Sequence, residues 1–393
     1  MNGSDLLVLI SLLLPLAFIS GWWLARKGRW NKPLETGPGI SPEYFKGLNF
    51  VLNEQPDKAI EVFIKMLEVD SETVETHLTL GNLFRRRGEV DRAIRIHQNL
   101  IARPNLEQEY RTLALLELGM DYMRSGLLDR AESLFIQLIE MDGYASQASR
   151  QLLDIYQQEK DWDNAINYAS RLEAISGERF DPIIAQYYCE LSSEYLSTEK
   201  VKEARESVRK ALNMDPRCVR ASILEAELLQ TEGKHKSALK AYKRIEKQDA
   251  DYMPEVIHPM LTCYQKLGQV RQAIQYLQDI LNRHGGITTL LCLTELIIEE
   301  QGEAEGIRFV SAELRKRPTV KGVDRLLEYV MGKAEGEIRD NLATIKDLTG
   351  KLLDNWSIYK CQQCGYDAKM LRWQCPSCKN WGTIKPVYGV EGE

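Results

Sequence analysis

The chain of 393 residues carries 51 Lys and Arg against 57 Asp and Glu, a formal charge of −6, with 44% hydrophobic and 27% charged residues. Length and composition exclude a miniature disulfide scaffold and a disordered polymer, and the acidic balance disfavours wholesale nucleic-acid binding, which needs a basic domain. Of the 8 cysteines, four fall within the segment 361–378 and the others are scattered, the placement of a metal site rather than of a disulfide framework.

Residues 6–25 contain no charge. As a helix rising about 1.5 Å per residue, that run reaches about 30 Å, the thickness of bilayer hydrocarbon, so it is predicted to span a membrane. Asp5 precedes it while Arg26, Lys27 and Arg29 follow, the reverse of the basic-then-apolar order of a cleaved signal peptide. A buried core helix would more often be shorter and amphipathic. Pro15 is tolerated within a membrane helix, and Trp22, Trp23 and Trp30 fit an interfacial belt. Positive flanks stay on the cytoplasmic side, so residues 1–29 read as an anchor with the remaining chain in the cytosol. Residues 30–39, with Pro33, Gly37, Pro38 and Gly39, read as a linker.

From residue 40 onward the chain repeats. An alanine recurs in similar short patterns at Ala59, Ala93, Ala131, Ala165, Ala204, Ala238 and Ala273, at steps of 34, 38, 34, 39, 34 and 35, and one more step of 34 reaches Ile307 in a degenerate copy. Nine residues before each anchor stand Phe50, Phe84, Tyr122, Tyr156, Tyr195, Leu229, Tyr264 and Ile298. Glycine stands five before in Gly88, Gly126, Gly233, Gly268 and Gly302, and twelve before the first three anchors in Gly47, Gly81 and Gly119.

These features resemble the tetratricopeptide repeat, a helix hairpin with a period of 34. The resemblance covers residues 40–321, about eight copies, and implies an all-α superhelical solenoid. The alanine is expected where the second helix crosses the first, the large residue as a plug between helices, and the glycine at a positive φ that closes the first helix. The two long steps predict longer loops near Pro104 to Glu109 and Ser176 to Asp181. Residues 322–356 continue the helical period and are read as capping helices over the last repeat, interrupted by Gly332 and Gly336. Cys189, Cys218, Cys263 and Cys292 fall one per repeat and read as small hydrophobes. His77, His97, His235, His258 and His284 are isolated in sequence, and none has a partner that would make it a catalytic base.

Residues 357–393 carry the remaining chemistry. Cys361 and Cys364, then Cys375 and Cys378, form two knuckles whose thiolates point at one metal ion, and four soft sulfurs suit zinc or iron equally. The segment resembles the rubredoxin-type fold, in which a glycine follows each second cysteine. Gly365 matches, Lys379 departs, and the loop between the knuckles is short for reversible iron redox chemistry. Lys360, Lys369, Arg372, Lys379 and Lys385, with Trp373, Trp381 and Tyr388, offer a small basic face or a packed and docked module.

No phosphate loop, nucleophile elbow, HExxH pair or dinucleotide fingerprint occurs, so the chain is read as a non-enzymatic scaffold. The order of anchor, repeats and ribbon, with the segments THLTLGNLFRRRGEVDRAIRIHQ (76–98), YCEL (188–191) and CPSCKNWGTIKP (375–386), resembles the bacterial lipopolysaccharide assembly protein B family. That resemblance implies a single-pass inner-membrane regulator of lipid A synthesis with its C-terminal part on the cytoplasmic side. It further implies an adaptor that presents the UDP-acyl-N-acetylglucosamine deacetylase to a membrane AAA zinc protease. The other implied partners are an inner-membrane lipopolysaccharide sensor and further lipopolysaccharide synthesis or transport proteins, with homodimer formation open. Two other classes remain: a rubredoxin-type redox protein, and a nucleic-acid-binding zinc ribbon, for which the charge balance makes nucleic acid an unfavoured partner.

Overall fold

A computed structural model describes residues 42–53, 55–69, 74–141, 143–332, 334–390 and 392–393. The anticipated span at 6–25 and the linker at 30–39 lie outside them. Among the described residues no helix is long and apolar enough to cross a membrane. The chain divides into two compact units, 1–144 and 145–393, so the division falls inside the repeats.

Among the described residues the first unit holds three helix hairpins: α1 Pro42–Leu52 with α2 Pro56–Val69, α3 Val74–Arg87 with α4 Val90–Ile101, and α5 Gln108–Ser125 with α6 Leu128–Glu140. The second unit continues with α7 Ala145–Glu159 and α8 Trp162–Ser176, α9 Asp181–Ser197 and α10 Val201–Met214, and α11 Val219–Thr231 and α12 His235–Gln248. A 3-10 turn at Ala250–Tyr252 then leads to α13 Met253–Lys266 with α14 Val270–His284 and α15 Ile287–Gln301 with α16 Glu303–Lys316. The repeats of both units are therefore all-α tetratricopeptide stacks, and within each unit every hairpin packs on the next.

The repeat anchors explain why. Each of the seven alanines is the fourth residue of a second helix and is at most 1% exposed, because the two helices cross there and leave room for one methyl group. In the first unit the crossing is closer still. A Cβ on Gly47, Gly81 or Gly119 would lie 2.6, 2.3 or 2.6 Å from Phe63, His97 or Phe135, each four residues beyond the anchor. In the second unit larger residues occupy the glycine's place, Leu153, Ser192, Ala226 and Leu261.

The hairpin turn needs a left-handed residue, and Gly88, Gly126, Gly233 and Gly268 supply it at φ 89°, 77°, 74° and 65°. Among the described turns, those of the fourth and fifth hairpins lack this glycine and hold Lys160 and Glu199 at the same place, at φ 60° and 59°. The eighth hairpin departs from the expected register. Gly302 alone connects its helices, at φ 94° and ψ 161°, and the fourth residue of α16 is the buried Gly306 rather than Ile307. A Cβ on Gly306 would meet Ile298 at 2.2 Å, so the shortened turn brings the crossing one residue forward.

One expected loop is also corrected. Residues 102–107 do form a longer connection, but 177–180 is as short as the neighbouring ones, and the surplus residues lengthen α9 to 17 residues. Pro182 at the start of that helix has no N–H to satisfy and presets the backbone angle, and Phe180 is buried just ahead of it, which fixes an early start.

After the repeats come α17 Val320–Met331 and α18 Gly336–Asn355, separated in the interval containing Gly332. Helix α17 packs on α15 and α16. Helix α18 packs on α17 through Thr349 Oγ1, which donates to Asp324 at 2.6 Å, and leaves Ile338, Ile345, Leu348 and Leu352 exposed. The helix that caps the last repeat is therefore α17, and α18 packs chiefly on α17. A three-stranded antiparallel ribbon follows, β1 Tyr359–Cys361, β2 Asp367–Ala368 and β3 Ile384–Pro386, with β1 central.

His97 is not isolated. It is fully buried and its Nδ1–H donates to Asp121 at 2.5 Å, while Arg85 bonds Asp121 at 2.8 Å and Glu117 at 2.6 Å, tying α3, α4 and α5 together. His77 lies 2.9 Å from Arg103, and His284 lies 3.1 Å from Glu246. The four repeat cysteines are all buried, as small hydrophobes should be.

Candidate metal centre

Strand β1 ends on Cys361, a tight turn returns the chain to Cys364, and the second turn carries Cys375 and Cys378 toward the same point. The four Sγ atoms lie within 4.8 Å of one another, with Cys361 to Cys378 at 3.8 Å and Cys364 to Cys375 at 3.6 Å. A metal–sulfur bond of about 2.3 Å gives a tetrahedron with edges of about 3.8 Å, so the thiols are set at the spacing one zinc or iron ion requires. No histidine joins this group.

Each knuckle is closed by the backbone. Gly365 N–H donates to the Cys361 carbonyl at 3.0 Å and Lys379 N–H to the Cys375 carbonyl at 2.8 Å. Gly365 sits at φ 77° and Lys379 at φ 61°, so the lysine adopts the glycine's conformation and its departure from the rubredoxin pattern leaves the knuckle intact. Burial opposes charge on Cys361, but Thr383 3.3 Å away and the N–H groups of Cys364 and Gln363 outweigh it and draw the thiol down to about 6. Hydrogen bonds from Asn380 lower Cys378. Burial pushes Cys375 up to about 11, so this fully buried sulfur gains most from a cation beside it.

The ribbon is seated on the repeats of its own unit by residues that sequence periodicity does not single out. Trp373 stacks on Tyr252 with centroids 5.4 Å apart, and Trp381 meets Tyr187 edge-on at 5.9 Å. Tyr252 donates to the carbonyls of Gly382 and Ile384 at 3.2 and 3.1 Å. Gln157 Oε1 accepts from Gln374 Nε2 and Trp381 Nε1, both at 3.2 Å. Tyr359 donates to Glu255 at 2.8 Å, Tyr388 to the Asp251 carbonyl at 3.0 Å, and Lys385 pairs with Asp249 at 2.7 Å and Asp251 at 2.9 Å. Glu393 accepts from the N–H and hydroxyl of Thr288 at the first turn of α15, at 2.9 and 2.6 Å. The basic face expected of the ribbon is thus partly used internally: Lys385 is an ion-pair partner, Lys369 donates to the Asp354 carbonyl, and both tryptophans point into the repeats.

Tetratricopeptide hairpins that carry a docked four-thiol ribbon define a class, the repeat protein with a rubredoxin-type metal module. Residues 359–386 match the rubredoxin metal binding domain, and 76–109, 116–179, 189–252 and 262–286 match the tetratricopeptide repeat. The chain belongs to the lipopolysaccharide assembly protein B family. It is 37% identical over 388 residues to lipopolysaccharide assembly protein B of Escherichia coli (strain K12), covering 98% of this chain and 100% of the relative. The Haemophilus influenzae protein of the same name is 38% identical over 397 residues, covering 98% and 99%.

Proposed function

We propose that this chain is a single-pass inner-membrane adaptor that regulates lipid A synthesis, with residues 6–25 as its span and the repeats and ribbon on the cytoplasmic side. It acts by gathering proteins rather than by catalysis. Its partners in this reading are a membrane AAA zinc protease, the UDP-acyl-N-acetylglucosamine deacetylase that the protease degrades, an inner-membrane lipopolysaccharide sensor, and other lipopolysaccharide synthesis or transport proteins. The observation that carries the reading is the family match over essentially the whole of both chains, repeats and ribbon included. Tetratricopeptide stacks bind polypeptide segments, and a tether beside a protease raises the effective concentration of a captured substrate without any new contact.

Cys361, Cys364, Cys375 and Cys378 would hold one zinc or iron ion in this reading. The metal supplies cross-linking of the two knuckles, and the chain's own aromatics and Lys385 seat the ribbon on the repeats. Deleting residues 1–29 tests the adaptor role: deacetylase abundance is expected to rise severalfold in cells while the remaining chain stays folded. Unchanged deacetylase turnover in that strain counts against it.

A further inference from the structure

The packing of α9 on α11 brings two of the repeat cysteines into contact. Cys189 lies in the middle of α9 and Cys218 caps the N-terminus of α11, and their Sγ atoms are 4.0 Å apart, with both residues buried and both thiols free. A disulfide bond is about 2.05 Å long, so the pair has roughly 2 Å to close, a movement two side chains can share. Cys263 and Cys292 make no sulfur–sulfur contact among the described residues.

The surroundings favour a thiolate on one member of the pair. Hydrogen bonding from the Cys189 thiol draws Cys218 below its ordinary value; burial opposes the shift, and the Ala221 N–H in the first turn of α11 supports it. Gln186 Nε2 donates to the same sulfur at 3.6 Å. Burial raises Cys189 and Cys263 and pushes Cys292 up to about 12, so those three remain thiols. Cys218 is 3% exposed and lines the cavity between the ribbon and the repeats, whereas Cys189 has no exposed surface, so a small reagent reaches the pair through Cys218.

A nucleophilic sulfur with an outlet, backed by a second sulfur without one, is the arrangement of an attacking and a resolving cysteine. We propose that Cys218 and Cys189 form a peroxide-responsive disulfide, with Cys218 attacking and Cys189 resolving. The Cys218 thiolate attacks one oxygen of hydrogen peroxide; the O–O bond breaks, hydroxide leaves and takes a solvent proton to become water, and Cys218 becomes a sulfenic acid. The Cys189 thiol then attacks that sulfur, the S–O bond breaks, and a second water departs with the Cys189 proton. The two thiols together lose two electrons, and one peroxide is reduced to two waters. In a reducing compartment such a bond is transient, and cellular thiols reverse it. Arg220, two residues beyond Cys218, lies 5.8 Å from the ring of Trp373, so the link joins two hairpins at the seat of the ribbon. The inference does not rest on the lipopolysaccharide reading.

The experiment uses the full zinc-loaded chain in mild detergent, with hydrogen peroxide raised stepwise until the first cysteine is oxidised. Thiols are then alkylated under denaturing conditions, and unreduced peptides are read by mass spectrometry. The peptides holding Cys189 and Cys218 are expected as a linked pair two hydrogens lighter, at least about tenfold more abundant than any oxidised form of Cys263 or Cys292, with zinc retained and the link reversed by dithiothreitol. Cys189→Ala is expected to stop at an added oxygen on Cys218, and Cys218→Ala to leave Cys189 unmodified; circular dichroism checks both folds, and the wild-type result stands without them. Absence of the linked pair at peroxide levels that oxidise Cys263, Cys292 or the ribbon thiols overturns the proposal. So does oxidised Cys218 without a link to Cys189 in the wild-type chain, or oxidised Cys189 in Cys218→Ala.

Discussion

Lys160 and Glu199 close the hairpins α7–α8 and α9–α10 at φ 60° and 59°, where Gly88, Gly126, Gly233 and Gly268 close four others. A side chain in that conformation crowds its own carbonyl by about 1 to 2 kcal/mol, part of which glycine would return as greater freedom in the unfolded chain. Neither Lys160 nor Glu199 makes a side-chain bond among the described residues, so nothing else is lost on substitution. Lys160→Gly and Glu199→Gly are expected to stabilise the protein by roughly 0.5 kcal/mol each, and Gly126→Ala to cost about 1 kcal/mol, read as shifts in the urea midpoint. A loss of stability in both glycine variants would contradict this account of the turn. The repeat register is visible in the sequence because each anchor answers to local geometry. It misleads at Ile307, where loss of one turn residue hands the crossing to Gly306, and at His97, whose partner Asp121 lies on the next hairpin.

At the scale of elements, the ribbon is held largely by donors that stop donating when they ionise. Tyr252, Tyr359 and Tyr388 each give their phenolic proton to a carbonyl or carboxylate across the ribbon contact. Burial first, and then the neighbouring acids, raise all three above the ordinary 10.0. Burial disfavours charge on Lys385, but Asp249 and Asp251 outweigh it and hold the ammonium above 10.5. With every folded value raised, the unfolded segment sheds its protons first, so the contact is at full strength below pH 10 and weakens as pH climbs through the folded values. Emission from Trp373 and Trp381 is expected to shift to the red in that window before helical circular dichroism falls. Simultaneous loss of both signals would show that the ribbon has no separate docking equilibrium. The four cysteines and the docking tryptophans are legible from spacing and from the small size of the module. Their receivers are not: Gln157, Tyr252 and Glu255 lie more than 100 residues from the groups they bind, on repeat helices and a connecting 3-10 turn whose pattern gives them no distinguishing mark.

For the whole molecule, metal, ribbon and docking contact form one chain of dependence within the second unit. The strands of the ribbon are three, two and three residues long, and its buried core is Cys361, Cys375 and Ile384, two of which are thiol positions of the metal centre. So small a module draws most of its folding free energy from the ion, on the order of 10 kcal/mol for structural zinc sites. Cys361→Ser, Cys378→Ser or a strong chelator should therefore lower metal content and loosen residues 357–393. Trp373 and Trp381 then leave Tyr252 and Tyr187. The repeats keep their own buried anchors, and the first unit has a separate core around Phe63 and Phe84. Hydrogen exchange is accordingly expected to quicken in 357–393 and around Tyr252 while 74–141 stays protected, with most helical signal retained. Full metal occupancy in both serine variants, or faster exchange spread evenly through 74–141, would break the dependence at its first link.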